Sequence, residues 1–399
     1  MTDVRGTPLR ILMITFNPVW RGTFYRALHF ARHLVQRGHT VTLLAMSRQE
    51  RWRFRTRDVD GVTLVETPDL LWGKLRSGWD PWDALARIGW LRGRDFDLIH
   101  AFEARPIVIV PALYMQRWRR VPLVLDWCDW FGAGGSVEER SNWLLRTLLR
   151  PVETFFEESF RTWADGTTVI NTVLRQRAVD LGVPTETILL LPDGCDVQSL
   201  QVLDRDEARR ALGLPLDRPL IGYIGAIFHR DAQLMARAFD LVRGTHPRAM
   251  LAVIGYCNRD VAALVADPGA VIRTGFVSYE DMNRYLAACD LCWLPLRDTG
   301  ANRGRWPLKL NEYMAAGRPV VATAVGDVAT LMRKHEIGLL ARDRPEDLAE
   351  ATAQLLSDPA LRKRLGRNAR RVAEEVFDWA LLTERLEAFY DNVLSKERA

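Results

Sequence analysis

The stretch from Pro307 to Thr323, PLKLNEYMAAGRPVVAT, combines a short helix with a buried strand. The pattern predicts a helix over 308–316 that begins beside Pro307 and ends at Gly317, followed at once by an apolar strand over 319–323. The start of such a helix presents N–H groups to a phosphate, and Lys309 lies in its first turn. Glu312, one turn later, can accept two hydrogen bonds from a ribose diol. The alternative is a solvent-facing Lys and Glu on an ordinary helix.

The same alternation of apolar strands and helical segments runs outward from this stretch in both directions. Continuous apolar strands that alternate with helices predict parallel sheets covered on both faces. A polar, irregular segment over 192–206 interrupts the rhythm and indicates a linker between domains. The expected strands lie at 10–16, 41–46, 62–66, 97–100, 122–126, 166–170, 187–191, 220–225, 250–255, 291–296, 319–323 and 338–341. We therefore expect an α/β protein of two doubly wound, Rossmann-like domains facing a central cleft, with ligands at the carboxyl ends of the strands.

The overall composition excludes several classes of protein. The chain has 399 residues, 48% of them hydrophobic and 26% charged, which is typical of a globular protein rather than a disordered one. It has no run of some 18 uncharged apolar residues, and Thr2 to Gly6 lead into a strand and not into a signal-peptide segment. The five cysteines do not form a disulfide framework, so we expect a reducing, cytoplasmic location. A net charge of +5 is weak evidence for nucleic-acid binding.

Several segments resemble a known family, and together they cover nearly the whole chain. The segment EYMAAGRPVVAT closely resembles the nucleotide-sugar signature of the GT4-type glycosyltransferases, which have the GT-B fold. By this resemblance Glu312 binds the donor ribose, and Pro307, Leu308 and Lys309 match the PxK form of one branch of the family. The remaining similar segments are RGTFYRALHFARHLVQRGHTV (21–41), LLLPDGCD (189–196) and GFVSYEDMNRYLAACDLCWLP (275–295).

The sequence also departs from the family pattern at the donor site. The strand that ends at Gly225 usually continues into an Arg and, five residues later, a Lys that grip the diphosphate, but here these positions are Ala226 and Asp231. A second family glutamate is replaced by Gly304. A diphosphate leaving group needs cations or N–H donors, so other residues must supply them. The candidates, in order, are Arg230, Lys309, Arg303, Arg305 and Arg297, each of which has a solvated surface role as its alternative.

The N-terminal half carries the candidate acceptor residues. Gly22 and Arg21 match the family's first glycine-bearing loop, where glycine lets the backbone approach donor phosphate and acceptor closely; a plain helix N-terminus is the alternative. In PLVLDWCDWFG (122–132), Cys128 occupies the place of a histidine found in relatives. Asp129 is the candidate for contacting a sugar hydroxyl or taking the acceptor proton, with Asp126 in reserve. A carboxylate that caps the following loop is equally compatible with the pattern.

Metal sites are weakly indicated. Cys289 and Cys292 form a lone CxxC without a second pair, and small buried thiols explain them better. His29 and His33 lie four residues apart on a helix but lack the glutamate between them that a zinc protease motif requires. We therefore expect that no metal or other cofactor is required.

The resemblance implies a retaining, metal-independent glycosyltransferase that moves a sugar from a nucleoside diphosphate sugar, UDP or GDP being expected, to an acceptor. It implies an acceptor-binding domain over 1–195, a nucleotide-sugar-binding domain over 196–378, and a terminal helix over 379–399 that crosses back to the first domain. The catalytic candidates are Asp129, Arg230 and Lys309; the donor-binding candidates are Gly22, Gly225, Arg230, Arg303, Leu308, Lys309 and Glu312; the acceptor-side candidates are Arg21, Asp126 and Asp129. The alternatives are a nucleotide-sugar epimerase of the same fold and a degenerate member that binds a sugar nucleotide without turnover.

Arginine and tryptophan concentrate between Trp72 and Arg150. Arginine together with interfacial aromatic residues suits the surface of an anionic membrane. The pattern therefore suggests a lipid-linked or cell-surface polysaccharide acceptor and peripheral contact with the inner face of a membrane, while buried tryptophans and solvated arginines are the alternative. The residues include Trp72, Lys74, Arg76, Trp79, Trp82, Arg87, Trp90, Arg92, Arg94, Arg117, Trp118, Arg119 and Arg120.

Overall fold

The computed structural model describes residues 7–69 and 78–398, which divide into two compact units. The first unit contains the chain up to Pro192 together with the segment that starts at Trp379, and the second contains Asp193 to Asp378. Of the tryptophan- and arginine-rich segment, Trp72, Lys74 and Arg76 lie outside the described residues.

The first unit is an α/β unit whose elements alternate along the chain. Short 3₁₀ turns lie at Ser136–Glu139, Arg161–Trp163 and Thr185–Thr187. The strands and helices up to Pro192 are β1 (Arg10–Pro18), α1 (Thr23–Gln36), β2 (Thr40–Met46), β3 (Arg55–Val59), β4 (Val62–Thr67), α2 (Pro81–Leu91), β5 (Leu98–Phe102), α3 (Pro106–Arg119), β6 (Leu123–Trp127), α4 (Trp143–Glu158), β7 (Gly166–Val169), α5 (Thr172–Asp180) and β8 (Ile188–Leu190).

In the described part of this unit the strands form one sheet in the order β3-β4-β2-β1-β5-β6-β7-β8. The chain first builds outward from β1 through β2 to β4 and then, from β5 onward, builds in the other direction, so the order reverses between β1 and β5. Ligands in such sheets bind at the reversal point, outside the carboxyl ends of the strands. The parallel arrangement that the sequence predicted is confirmed, except that the edge strand β3 pairs antiparallel with β4.

The second unit repeats the architecture with a smaller sheet. Two 3₁₀ turns lie at Ala262–Leu264 and Pro268–Ala270. Its strands and helices are α6 (Arg205–Ala211), β9 (Leu220–Ile224), α7 (His229–Thr245), β10 (Met250–Ile254), β11 (Val271–Arg273), α8 (Tyr279–Ala288), β12 (Leu291–Leu294), α9 (Gly300–Arg303), α10 (Leu308–Ala315), β13 (Val320–Thr323), α11 (Gly326–His335), β14 (Gly338–Ala341), α12 (Pro345–Ser357) and α13 (Pro359–Val376).

The strands of the second unit lie in the order β11-β10-β9-β12-β13-β14, and all their pairings are parallel. The chain again builds in one direction from β9 and in the other from β12, so the reversal point lies between these two strands. The strands Leu220–Ile224 and Val320–Thr323 are buried along their whole length. This is expected of parallel strands in a sheet that is covered on both faces. A large apolar core packs α7 and α12 against this sheet.

The last helix, α14 (Trp379–Arg398), packs within the first unit. The Tyr390 hydroxyl lies 2.6 Å from His100 Nδ1 on β5, and both side chains are fully buried. Burial lowers the pKa of His100 to about 4, so the imidazole is neutral at physiological pH. In the described ranges, no helix is both long and apolar enough to span a bilayer.

Candidate functional site

The helix α10 begins at the carboxyl-end side of the second sheet and leaves two backbone donors unused. Pro307 is its N-cap and forms no side-chain cap, and Leu310 N–H donates to the Pro307 carbonyl at 2.9 Å. The N–H groups of Leu308 and Lys309 have no hydrogen-bond acceptor within residues 7–69 and 78–398. Unpaired N–H groups and the positive end of the helix dipole favour an anion at this position.

The Lys309 side chain reaches the carboxyl end of β9. Its Nζ donates to the Tyr223 hydroxyl at 2.5 Å and to the Ala226 carbonyl at 2.8 Å. Burial, and secondarily the nearby Arg305 guanidinium, lower the pKa of Lys309 to about 7. The side chain is therefore divided between its amine and ammonium forms near neutral pH, and a bound anion would favour the ammonium. Ala226, at the position where the family resemblance implies an arginine, contributes only its backbone carbonyl oxygen.

The Glu312 carboxylate is half-buried one turn after Lys309. It accepts no hydrogen bond from any residue in the described part of the chain, so its oxygens are available to a ligand. Burial raises the pKa of Glu312 to about 7, and Lys309 opposes the shift. Two vacant carboxylate oxygens can accept hydrogen bonds from a pair of neighbouring hydroxyls.

Asp231 occupies the position at which the family resemblance implies a lysine, and its buried contacts give it a structural role. The side chain is 1% exposed and accepts from the Arg297 backbone N–H at 2.8 Å and from Asn302 Nδ2 at 3.1 Å. Arg305 forms an ion pair with it at 3.5 Å. The carboxylate therefore holds together the loop between β12 and α10, a role that a lysine cannot perform.

The remaining candidate cations of the second unit differ in how far their charge is already neutralised. Arg230 is exposed in the first turn of α7 and has no ion-pair partner in the part of the chain described. Arg303 forms a two-bond ion pair with Asp298 at 2.6 and 2.7 Å, and Arg297 pairs with Asp343. Arg305 lies over the Phe228 ring. Gly225 directly follows β9 at φ +73°, with open space where a side chain would lie. Arg230 thus keeps the most available charge.

Sequence reasoning missed Tyr223, which contacts Lys309 from within β9. The ring lies 4.0 Å from Lys309 Nζ, and the hydroxyl donates to the Ala226 carbonyl at 2.9 Å. The signal was present in LIGYIG, because a tyrosine in a buried strand needs a polar partner for its hydroxyl at the strand end.

In the first unit, Gly22 lies at the reversal point between β1 and β5. Its φ is +52°, and a Cβ would come within 2.8 Å of Asn17 Nδ2. The Asn17 side chain accepts from the Thr23 N–H at 3.0 Å, so the loop closes tightly over the start of α1. Arg21 is exposed beside this turn. Only glycine fits here without strain.

Glu103 is a second residue that sequence reasoning missed, and it organises the loop that follows β6. It is buried at φ +69°, and its Oε1 accepts from the backbone N–H groups of Cys128 at 2.8 Å and Asp129 at 3.0 Å. Burial raises the pKa of Glu103 to about 7, and Arg161 opposes the shift. A carboxylate directly after a buried strand, as in IHAFE, was the available signal.

Asp126, which lies in β6, and Asp129, which follows the strand, have different environments. Asp129 is half-buried at the carboxyl end of the strand. Asp126, in contrast, is fully buried and binds Arg26 through both oxygens at 3.1 and 2.9 Å, with Thr168 as a further donor. Burial opposes ionisation of Asp126, but the Arg26 charge prevails and lowers its pKa. The reserve assignment of Asp126 to the acceptor is therefore corrected, because its carboxylate is buried and already bound by Arg26 and Thr168.

Cys128 does not replace the chemistry of the family histidine. Its thiol is buried, lies 3.0 Å from Glu103 Oε1 and is 3.6 Å from Thr23 Oγ1. Burial and the neighbouring carboxylates raise the pKa of Cys128 well above its ordinary value. The group stays a neutral thiol and cannot act as a base near neutral pH.

The weak metal patterns have structural explanations. The His29 ring stacks on Trp379 at 4.9 Å, and His33 Nδ1 bonds to the His29 carbonyl. The Cys289 and Cys292 thiols are both buried against β9, close to Gly222. The described ranges contain no group of three metal-ligating side chains.

Comparisons with known proteins agree with this arrangement. Residues 21–194 match the family described as glycosyl transferase 4-like domain, and residues 218–358 match glycosyl transferases group 1. A D-inositol 3-phosphate glycosyltransferase of Stackebrandtia nassauensis is 28% identical over 53% of this chain and 50% of its own length. A GDP-mannose-dependent monoacylated alpha-(1-6)-phosphatidylinositol monomannoside mannosyltransferase of Corynebacterium glutamicum is 28% identical over 52% of this chain and 56% of its own. The chain thus spans about half the length of the curated relatives it matches.

The fold comparison covers nearly the whole chain. The structure of Anabaena HepE in complex with UDP-glucose superimposes with a TM-score of 0.70 over 96% of this chain and 100% of the other, at 17% sequence identity. The two family matches lie one in each unit and together include most of the sequence. The chain belongs to the GT4 family of glycosyltransferases and has the GT-B fold.

Proposed function

We propose that the protein transfers a sugar from a nucleoside diphosphate sugar, UDP- or GDP-linked, to a hydroxyl acceptor. The observation that carries the proposal is the start of α10, where two unbonded N–H groups, the Lys309 ammonium and the vacant Glu312 carboxylate occur within five residues. The N–H groups and Lys309 suit a diphosphate, and Glu312 suits the ribose diol. The second unit would hold the donor.

The proposed reaction retains the configuration of the sugar and needs no metal. The bond between the anomeric carbon and the diphosphate oxygen breaks, and the bond to the acceptor oxygen forms on the same face. The proton of the acceptor hydroxyl passes to the departing diphosphate, so no separate base is required. Lys309, Arg230 and the α10 N–H groups would stabilise the charge that develops on the leaving group. Asp129 and Arg21 of the first unit would orient the acceptor.

A panel of UDP-, GDP- and dTDP-sugars, incubated with the protein and candidate acceptors, tests the proposal. Release of nucleoside diphosphate with a glycosylated product, or slow hydrolysis without an acceptor, supports a transferase. Interconversion of the sugar without diphosphate release would indicate an epimerase, and binding without turnover would indicate a degenerate member. Glu312→Ala should weaken donor binding about tenfold or more, as expected for the loss of a charge-assisted pair of hydrogen bonds.

We further propose that the acceptor is lipid-linked and that helix α4 contacts the cytoplasmic face of an anionic membrane. This helix is amphipathic, but its apolar face points away from the protein. Leu148 is 68% exposed and Phe155 56%, whereas Glu153 and Glu157 on the other face are 3% and 4% exposed. The outward face also carries Leu144, Leu145 and Val152.

The buried carboxylates explain how a helix with this orientation is held. Glu157 accepts from the N–H groups of Phe131 and Gly132 at 2.8 and 2.7 Å and from Trp127 Nε1 at 2.9 Å. Glu153 forms an ion pair with Arg140 at 2.6 Å. Because these bonds fix the rotation of the helix, the apolar residues cannot turn inward.

The apolar face continues into aromatic and basic side chains. Phe155 packs on Phe160, Phe160 packs on Trp163, and Arg117 lies 4.4 Å over the Trp163 ring. The neighbouring Trp118 is 73% exposed. Aromatic rings beside arginines suit the headgroup region of an anionic bilayer. Of the residues in the sequence pattern, Arg87 is excluded from this surface because it is fully buried and paired with Asp83.

The size of the face favours a membrane over a second protein chain. A helix of 16 residues is roughly 24 Å long and about 10 Å wide, so the face covers on the order of 240 Å². A stable protein interface buries about 800 Å² on each partner. A bilayer needs only shallow insertion of such a face.

Co-sedimentation with vesicles tests the membrane proposal. Vesicles of phosphatidylglycerol and phosphatidylcholine should pellet the protein at low salt, and phosphatidylcholine alone should pellet much less. Leu148→Ser/Phe155→Ser should reduce binding at least fivefold. The matched control is Leu241→Ser/Leu264→Ser, which removes two exposed leucines of the second unit and should bind as the unaltered protein does. Equal binding by both variants, or dimerisation through α4 without vesicles, would contradict the proposal.

A further inference from the structure

The second unit contains a strongly basic cavity that the proposed reaction does not use. Its volume is about 560 Å³, and it lies beside α13, next to Asp290 and Pro319. Asp290 immediately precedes β12 and Pro319 immediately precedes β13, so the cavity opens at the amino ends of these strands. Lys309 lies at the carboxyl ends, which form the opposite edge of a parallel sheet. The cavity is therefore separate from the candidate donor residues.

Three cations on α13 line this cavity without neutralising partners. Lys363, Arg367 and Arg371 are each four residues apart, so they form one row along the helix. All three are exposed, and none forms an ion pair within the residues that the structure describes. A row of like charges at this spacing destabilises a helix, so a bound anion would relieve the repulsion.

Further arginines of the lining are held by backbone oxygens, which fix their position but leave their charge. Arg318 donates to the Ala287 and Cys289 carbonyls at 3.0 and 3.1 Å, and Arg362 donates to the Leu355 and Leu356 carbonyls. Neither has a carboxylate partner in the described ranges. These guanidiniums are thus preorganised cations, which is what recognition of a phosphate requires.

Among the described residues that line the cavity, two are carboxylates. Asp290 is shared between Arg205 and Arg209, and Glu374 pairs with Arg370. The lining as a whole contains seven Lys and Arg side chains against these two acids. This excess of positive charge indicates that the ligand is an anion.

The walls are not exclusively polar. Val202, Pro319 and Pro359 contribute apolar surface, and Gly366 lets α13 approach the end of α10 closely, since a Cβ there would lie 2.4 Å from the Gly317 oxygen. The volume is within the range of about 300–1,000 Å³ that is usual for small-molecule sites. An inorganic ion alone would leave most of this space unfilled.

We propose that this cavity binds the phosphate group of a small phosphorylated organic molecule, of the size of a sugar phosphate. Lys363, Arg367 and Arg371 contact the phosphate, and the valine and prolines contact the organic part. This site is additional to the donor site and does not depend on glycosyl transfer.

Calorimetric titration of the full chain at low ionic strength tests the inference. Glucose 6-phosphate should bind with measurable heat, inorganic phosphate should bind at least fivefold more weakly, and glucose should not bind. Arg367→Ser/Arg371→Ser should weaken glucose 6-phosphate binding at least tenfold. The control Arg333→Ser/Lys334→Ser removes the same number of exposed charges from α11 and should change binding less than twofold.

A second control separates this site from the donor site. Lys309→Met should leave glucose 6-phosphate binding unchanged, because that residue lies at the other edge of the sheet. The inference is overturned if the unaltered protein binds no phosphate compound, if both double variants behave alike, or if Lys309→Met abolishes binding. Binding of inorganic phosphate as tightly as the sugar phosphate would also overturn it.

Discussion

The ammonium of Lys309 rests on the face of Tyr223 and donates to the hydroxyl of the same residue. A tyrosine within β9 thereby fixes a lysine in the first turn of α10, two segments 86 residues apart in sequence. The pair joins the carboxyl end of the central strand to the helix that resembles the nucleotide-sugar signature.

Because of this contact, we expect substitutions of Lys309 and Tyr223 to change the affinity for a nucleoside diphosphate by different amounts. Lys309→Met removes the cation, and we expect affinity for a nucleoside diphosphate to fall at least tenfold, equivalent to about 1.4 kcal/mol. Tyr223→Phe keeps the ring and the Ala226 carbonyl as partners of Lys309, so affinity should fall less than about threefold. Calorimetry with UDP and GDP measures both. An equal loss in the two variants would show that the hydroxyl, and not the charge, governs binding.

The binding of sugar nucleotide should depend on pH with a maximum near neutrality. Below about pH 7, Glu312 gains a proton and loses an acceptor for the ribose; above about pH 7, Lys309 loses the proton that attracts the diphosphate. Affinity should therefore fall on both sides, by up to about tenfold per pH unit. Glu312→Gln should remove the acidic limb and Lys309→Met the alkaline limb. A flat profile between pH 5.5 and 8.5 would contradict these protonation states.

Replacement of Asp231 should destabilise the second unit. Asp231→Ala leaves the Arg297 N–H, Asn302 and Arg305 without their buried acceptor, and we expect the free energy of unfolding to fall by about 2–4 kcal/mol. Asp231→Lys, which installs the lysine that the family resemblance implies, should be at least as harmful. The control is Asp298→Asn, which breaks an exposed ion pair with Arg303 and should cost about 1 kcal/mol or less. Urea unfolding measures all three, and an equal loss in Asp231→Ala and Asp298→Asn would refute the structural role.

Alkylation should distinguish Cys257 from the other cysteines. Cys257 is half-buried, whereas Cys128, Cys195, Cys289 and Cys292 are buried, and burial raises the thiol pKa of Cys128 and Cys292 well above the ordinary value. Iodoacetamide at pH 8 should therefore label one thiol in the folded protein and all five after denaturation. Mass spectrometry locates the label. Rapid labelling of Cys128 in the folded state would show that its thiol is accessible and ionised.

The strands of the two sheets could be predicted because each is an apolar run and because these runs alternate regularly with helical segments. Buried strands such as β1 and β13 are largely continuous apolar runs, and both were expected close to their observed positions. The edge strand β3, RTRDV, escaped because it is largely exposed and polar. Short-range patterns thus located the sheets but not their polar margins.

The residues of the candidate site likewise divide into those that a local motif predicts and those that only contacts between distant segments place. Lys309 and Glu312 could be named in advance because a local motif carries them. Glu103 and Tyr223 act through partners 25 and 86 residues away, and no local pattern announces such contacts. Asp126 shows the converse error, since its place beside Asp129 in sequence concealed that the pleat of β6 directs it into the core towards Arg26. Whether such a side chain faces a ligand or the core depends on contacts between residues that are far apart in sequence.

The placement of α14 has a consequence for how the protein can be made and divided. The first unit is assembled from two stretches of sequence, and its final helix supplies the hydroxyl that meets His100 inside the sheet. During synthesis the second unit can complete its contacts before those of the first are all available. A fragment that stops at Pro192 would leave His100 and the α1 surface uncovered, whereas one spanning 193–378 retains all the strands of its own sheet.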